Sequence, residues 1–172
     1  GYTQWYYFSV SNTKAGKNYR FNIINLIKPD SLYNHGMRPL YYSDLQSKKT
    51  GHGWKRGGTD ICYYQNSMKR KNAGYYYTLT WQMSFEHDKD AVYISHSYPY
   101  TYTDLQRYLN ALELDPKPKN RMRRRTLCHT IAGNQCDMLV VTTFQSDHDA
   151  IKNRKGICIS SRVHPGETGA SW

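Results

Sequence analysis

No stretch of this sequence approaches roughly eighteen consecutive apolar residues, which excludes a helical membrane span. No charged-then-apolar leader opens it, so no secretory signal is expected. The first residue is Gly1, not methionine, which points to a cut or processed start. Cysteine is scarce. Cys62, Cys128, Cys136 and Cys158 are the four, and no two stand as C-x-x-C. That spacing argues against a dense disulfide framework and leaves reduced cytosolic thiols packing as small apolar groups. Acid is scarce too, with 13 Asp+Glu against 24 Lys+Arg and a net charge of +11. A basic chain is biased toward nucleic acid, anionic membrane or acidic protein tails, and charge alone does not choose among them.

What is present is tyrosine, 17 of them in 172 residues. The length is enough to bury a core. Much of that core must come from rings with a polar tip, which suit strands and half-wet surfaces. The front of the chain reads as strands at 4–12, 19–27, 36–43, 59–66, 75–85 and 91–98. Gly, Asn, Pro and Asp break them apart, the pattern of an antiparallel sandwich. No helix is expected before Pro99.

The character then changes. Thr103 is a candidate cap for a helix whose apolar positions are Leu105, Tyr108, Leu109 and Leu112. Pro116 and Pro118 stop it. The run KPKNRMRRR (117–125) holds six basic residues and no acid. It reads as a docking strip for acidic tails or, more simply, as a solvated linker. Lys48, Lys49, Lys55 and Arg56 make a second, weaker basic loop. Two strands joined near Gly133-Asn134 follow, and then a short apolar strand, ICISSRV (157–163). The expected domains are 1–98 and 99–172.

The chain ends on RVHPGETGASW. His164 and Glu167 are three residues apart with Pro165-Gly166 between them. In an extended strand such residues lie about 10 Å apart on opposite sides and share nothing. A turn at Pro-Gly brings an imidazole and a carboxylate together. Catalytic zinc takes three protein ligands of this N/O type and keeps one open position. Here there are two. H-x-x-E alone reads equally as an ordinary surface turn. His129 reads as packing or surface, and His87 and His148 stand beside aspartates in polar loops.

The chain as a whole resembles the cytosolic carboxypeptidases, a subfamily of the zinc metallocarboxypeptidases. The stretches that carry the resemblance are QWYYFSVSNTKAG (4–16), YRFNIINLIKPDSLYNHGMRPL (19–40), GTDICYYQN (58–66), YYTLTW (76–81), SYPYTYTDLQRYL (97–109), LCHTIAGN (127–134) and RVHPGETGASW (162–172). YPYTY and RVHPGE together are highly specific. The resemblance implies a mostly β chain: an N-terminal antiparallel β-sandwich domain, then the truncated start of an α/β zinc carboxypeptidase domain. It places His164 and Glu167 on the first two zinc ligands. The third ligand, a histidine, and the catalytic glutamate are expected downstream of this chain, as are the residues that grip the substrate carboxylate. The implied activity is removal of C-terminal glutamates, notably from polyglutamylated tubulin. That implies a cytoplasmic protein at microtubules or cilia, with no nucleic-acid or membrane partner, inactive as this piece alone. The other reading is a non-catalytic basic module that binds acidic tails or tubulin.

Overall fold

The computed structural model describes residues 5–71, 73–118 and 120–172. Gln4, in the first expected strand, and Lys119, in the basic run, lie outside them. The chain divides into two compact units. One holds the residues up to Pro99 together with Arg162–Trp172, and the other is Tyr100–Ser161.

In the first unit, alternating sequence becomes strand because each strand has one face to bury. β1 (Tyr7–Ser11), β2 (Asn18–Leu26), β3 (Leu40–Ser43), β4 (Lys55–Arg56), β5 (Thr59–Lys69), β6 (Tyr75–Ser84) and β7 (Ala91–Ser95) form two sheets. One has the order β1-β7-β3-β4 and the other β2-β6-β5. The strand pairings are antiparallel, with Phe8 and Tyr41 opposite Ile94, Phe21 opposite Trp81, and Tyr63 opposite Leu79. The chain is thus mostly antiparallel β, as its sequence implies. The core joins Leu79, Trp81 and Met83 of β6 with Val92 and Ile94 of β7 and with Tyr6. Trp81 is completely buried, with Tyr6 and Phe21 stacked on it at 5.8 and 5.2 Å between ring centroids. Gly58 makes room for it. Its φ is +98°, and a Cβ there would sit 3.2 Å from Trp81 Cδ1 and 3.3 Å from the Gln82 carbonyl.

The tyrosines behave as rings with polar tips. The Tyr6 and Tyr33 hydroxyls share a 2.6 Å hydrogen bond, and Tyr33 also meets His96 Nδ1 at 3.1 Å. Burial pushes the Tyr33 phenol up to about 12. Burial, with Arg56 and Lys28 nearby, lowers the His96 imidazole below its ordinary value.

A helix does form before Pro99. α1 (Asp44–Thr50) starts at Ser43, whose Oγ accepts from the Gln46 N–H at 3.0 Å, and ends at Gly51 in the left-handed region. Its start and stop signals stand in the sequence. Its apolar content does not, because none of its residues is buried.

The second unit holds α2 (Tyr102–Leu114), a ribbon of β8 (Met122–His129) and β9 (Gln135–Val141), and α3 (His148–Lys152). The cap of α2 is Thr101, not Thr103. The Thr101 Oγ1 accepts from Asp104 N–H at 3.1 Å, and the Asp104 carboxylate accepts from Thr101 N–H at 2.9 Å. This reciprocal box satisfies two backbone donors at once, which a cap at Thr103 would leave open. Leu109 is buried, but Tyr108, on the expected apolar stripe, is 58% exposed.

Only the front of the basic run links: Lys117, Pro118, Asn120 and Arg121 form turns between α2 and β8. From Met122 onward it is strand, and alternation turns Arg124 toward α2 while Arg123 and Arg125 stay exposed. Arg124 donates to Asp137 Oδ1 at 2.7 Å, Asn110 Oδ1 at 2.8 Å and Glu113 Oε2 at 3.1 Å, and also to Gln106 Oε1. Gln106, Asn110 and Glu113 recur at helical spacing on one face of α2, so a polar stripe fastens the helix to the ribbon.

The stretch 157–163 is not a strand. Ile157 and Ile159 are 89% and 88% exposed. A strand exists only by ladder pairing, and no β-ladder among the described residues includes these.

Candidate metal centre

The site begins at the end of that irregular stretch. Arg162 sits at φ +55°, a conformation side chains seldom adopt, and turns the chain. Its Nε donates to the Pro165 carbonyl at 3.1 Å. The Glu167 N–H donates to the His164 carbonyl at 3.0 Å, closing a four-residue turn over Pro165-Gly166. A short 3-10 turn, Thr168–Ser171, follows directly. Thr168 anchors it. Its side chain is buried, and its Oγ1 lies 2.9 Å from Ser97 Oγ. This anchor explains why Arg162–Trp172 groups with the sandwich, whereas the sequence-based expectation ran 99–172 together as one domain.

The turn does what an extended chain cannot. His164 Nδ1 and Glu167 Oε1 stand 3.1 Å apart. Their side chains are 74% and 57% exposed, so both are open to an incoming ion. An imidazole nitrogen and a carboxylate oxygen are the donor types zinc accepts at catalytic centres. The pair fits part of such a site. Among the described residues no three His, Cys, Asp or Glu side chains gather as a metal site. His129 lies at the end of β8, exposed. His87 meets Gln46 Oε1 at 2.7 Å, and His148 is solvent-exposed beside Asp149. None of the three is placed with His164 and Glu167 by any hydrogen bond or ion pair.

Comparison with known proteins shows what the chain is similar to. Bovine cytosolic carboxypeptidase 3 is 47% identical over 171 residues, 99% of this chain. By sequence, this chain is homologous to the cytosolic carboxypeptidases. Human cytosolic carboxypeptidase 2 is 42% identical over the same 99%, and chicken cytosolic carboxypeptidase 1 is 41% identical. The chain spans only 17%, 19% and 15% of those relatives' own lengths. No family model matches it. Among solved structures, a metallo-carboxypeptidase from Pseudomonas aeruginosa, in complex with (2-guanidinoethylmercapto)succinic acid, shares 17% identity at a TM-score of 0.48. That overlay covers 80% of this chain and 30% of the other. The cytosolic carboxypeptidase relatives are hydrolases by name. Within this chain, His164 and Glu167 are paired N/O donors that a single turn presents together.

Sequence reasoning missed how the motif is held. The positive φ at Arg162 and the buried Thr168 hydroxyl leave no mark on local composition. The Thr168 hydroxyl depends on Ser97, far away in the chain.

Proposed function

We propose that this chain is part of a zinc-dependent carboxypeptidase that removes C-terminal glutamates from acidic proteins, polyglutamylated tubulin foremost. In this reading His164 and Glu167 are two of three protein ligands to zinc. The observation that carries it is the 3.1 Å approach of these two side chains within a sequence that matches cytosolic carboxypeptidases along 99% of its length. Bound zinc would supply a Lewis acid and a water of lowered pKa. The chain's own part is to present one nitrogen and one oxygen from a turn braced by Arg162 and Thr168. The excess of Lys and Arg favours encounter with a polyanionic substrate. The relatives' cytosolic naming and the four free thiols support action in the cytoplasm, and a tubulin substrate would place it at microtubules or cilia. No helix among the described residues is long and apolar enough to cross a membrane. With two ligands, residues 1–172 alone are expected to hold zinc weakly and to release no glutamate.

A second reading is favoured by the lack of a third ligand among the described residues: a non-catalytic basic module that binds acidic tails. One experiment separates the two. The intact mass of the native protein is measured, and the protein is incubated with a polyglutamylated tubulin-tail peptide. Glutamate release that His164→Ala abolishes supports the peptidase. Tight peptide binding without release, unchanged in His164→Ala, supports the module and refutes the peptidase.

A further inference from the structure

Cys128 and Cys136 stand apart in sequence and are Cα partners across the β8–β9 ribbon. Directly opposed residues of an antiparallel pair have Cα atoms about 4.5–5.5 Å apart and side chains on the same face. Disulfides span Cα separations of about 4.4–6.8 Å, so this pair lies within bridging range. Both thiols are free, Cys128 exposed and Cys136 half-buried. The ladder shifts register between Thr126 and Cys128, immediately beside the pair. Such an irregularity bends and twists a strand, which gives the sulfurs local freedom to approach. On the other side the hairpin is closed by Thr130 N–H donating to the Asn134 carbonyl at 2.8 Å. Cys62 lies in the other unit, opposite Thr80, and Cys158 lies in the irregular stretch before Arg162.

We propose that Cys128 and Cys136 form a reversible dithiol–disulfide site, closed by a small disulfide oxidant of the glutathione class. The exposed Cys128 is the attacking thiol. Its thiolate attacks one sulfur of the oxidant. The oxidant's S–S bond breaks, one small thiolate leaves, and Cys128 carries a mixed disulfide. Cys136 loses its proton to water and attacks the Cys128 sulfur, displacing the second small thiolate. Two protein thiols lose two protons and two electrons, and the oxidant is reduced to two thiols. Burial, and next the neighbouring Cys128, raise the Cys136 thiol, which suits it to the second step and not the first. The cross-link staples the ribbon beside its register shift and restrains the hairpin from opening.

The test uses the native protein in glutathione buffers from fully reduced to strongly oxidised. Free thiols are trapped with an alkylating agent and the peptides are mapped by mass spectrometry. The expected result is loss of two hydrogens as Cys128 and Cys136 leave the alkylated pool together, joined in one peptide pair, while the exposed Cys62 and Cys158 are found only alkylated or as separate mixed disulfides with glutathione. Cys128→Ser and Cys136→Ser are each expected to leave the remaining thiol as a mixed disulfide with glutathione. The proposal is overturned if both thiols of the unmodified sequence end as separate mixed disulfides or stay alkylated in the most oxidised buffer. Pairing of either with Cys158 overturns it as well.

Discussion

Replacing Arg124 by methionine is expected to loosen the second unit by about 3 kcal/mol. The side chains of Arg124 and Asp137 are 10% and 3% exposed, so this is a largely desolvated pair. Hydrogen bonds to charged groups contribute about 1.5–3 kcal/mol each, and breaking one side of a buried pair costs about 3–5 kcal/mol. Two facts place the cost at the lower end. Asp137 keeps amide donors from Gln106 at 2.7 Å and Gln135 at 2.6 Å. Glu113, the other acid, is 47% exposed and returns to water. The penalty comes from stranding a carboxylate, so removing the carboxylate as well relieves it. Arg124→Met with Asp137→Leu is expected to lie within about 1 kcal/mol of the original. The Asp137 carboxyl is held below its ordinary value, chiefly by the Arg124 hydrogen bond. A depressed carboxyl contributes stability above its unfolded value of about 3.9, and that stability is lost as pH falls below it. Arg124→Met therefore flattens the acid limb. The assay is native-state hydrogen exchange at the β8 and β9 amides, which reads this ribbon separately from the sandwich. A loss under about 0.5 kcal/mol, or a double variant as weak as the single one, refutes the reasoning.

The capping box makes a smaller claim. Thr101→Ala is expected to cost about 1 kcal/mol, read as faster exchange in the first turn of α2. In the sandwich, Trp81→Ala is expected to cost about 3–5 kcal/mol by urea unfolding, since its ring is completely buried with Tyr6 and Phe21 stacked on it. Gly58→Ala is expected to cost about 1–3 kcal/mol, because its positive φ and the close Trp81 ring both resist a Cβ. His96 is kept neutral by burial and by Arg56 and Lys28, so its pKa lies below the unfolded imidazole at about 6.5. The unfolded chain then binds the proton first, and stability falls as pH drops through that value. His96→Gln is expected to flatten this part of a melting-temperature profile, and an unchanged slope would refute it.

The local events were legible in the sequence. Alternation marks β2, β5, β6 and β7, because a strand with one buried face repeats every two residues. Ser43 and Gly51 mark the ends of α1, although its lack of an apolar face hides it among strands. His164-Pro165-Gly166-Glu167 shows two donors separated by a turn, and that turn brings them together.

Tertiary structure alone decided what depends on a distant partner. The sheet order β1-β7-β3-β4 joins strands far apart in the chain, which no window of sequence displays. Arg124 sits in a basic run like its neighbours, yet strand alternation and the polar stripe of α2 draw it inward and leave Arg125 exposed and Arg123 over the Phe144 ring. ICISSRV has the composition of a strand and lacks the ladder that would make it one. Cys128 and Cys136 become neighbours only because the hairpin folds back in one register. Periodicity, caps and turns are satisfied by adjacent residues. Pairing, burial of charge and proximity of thiols are satisfied only when separate segments meet.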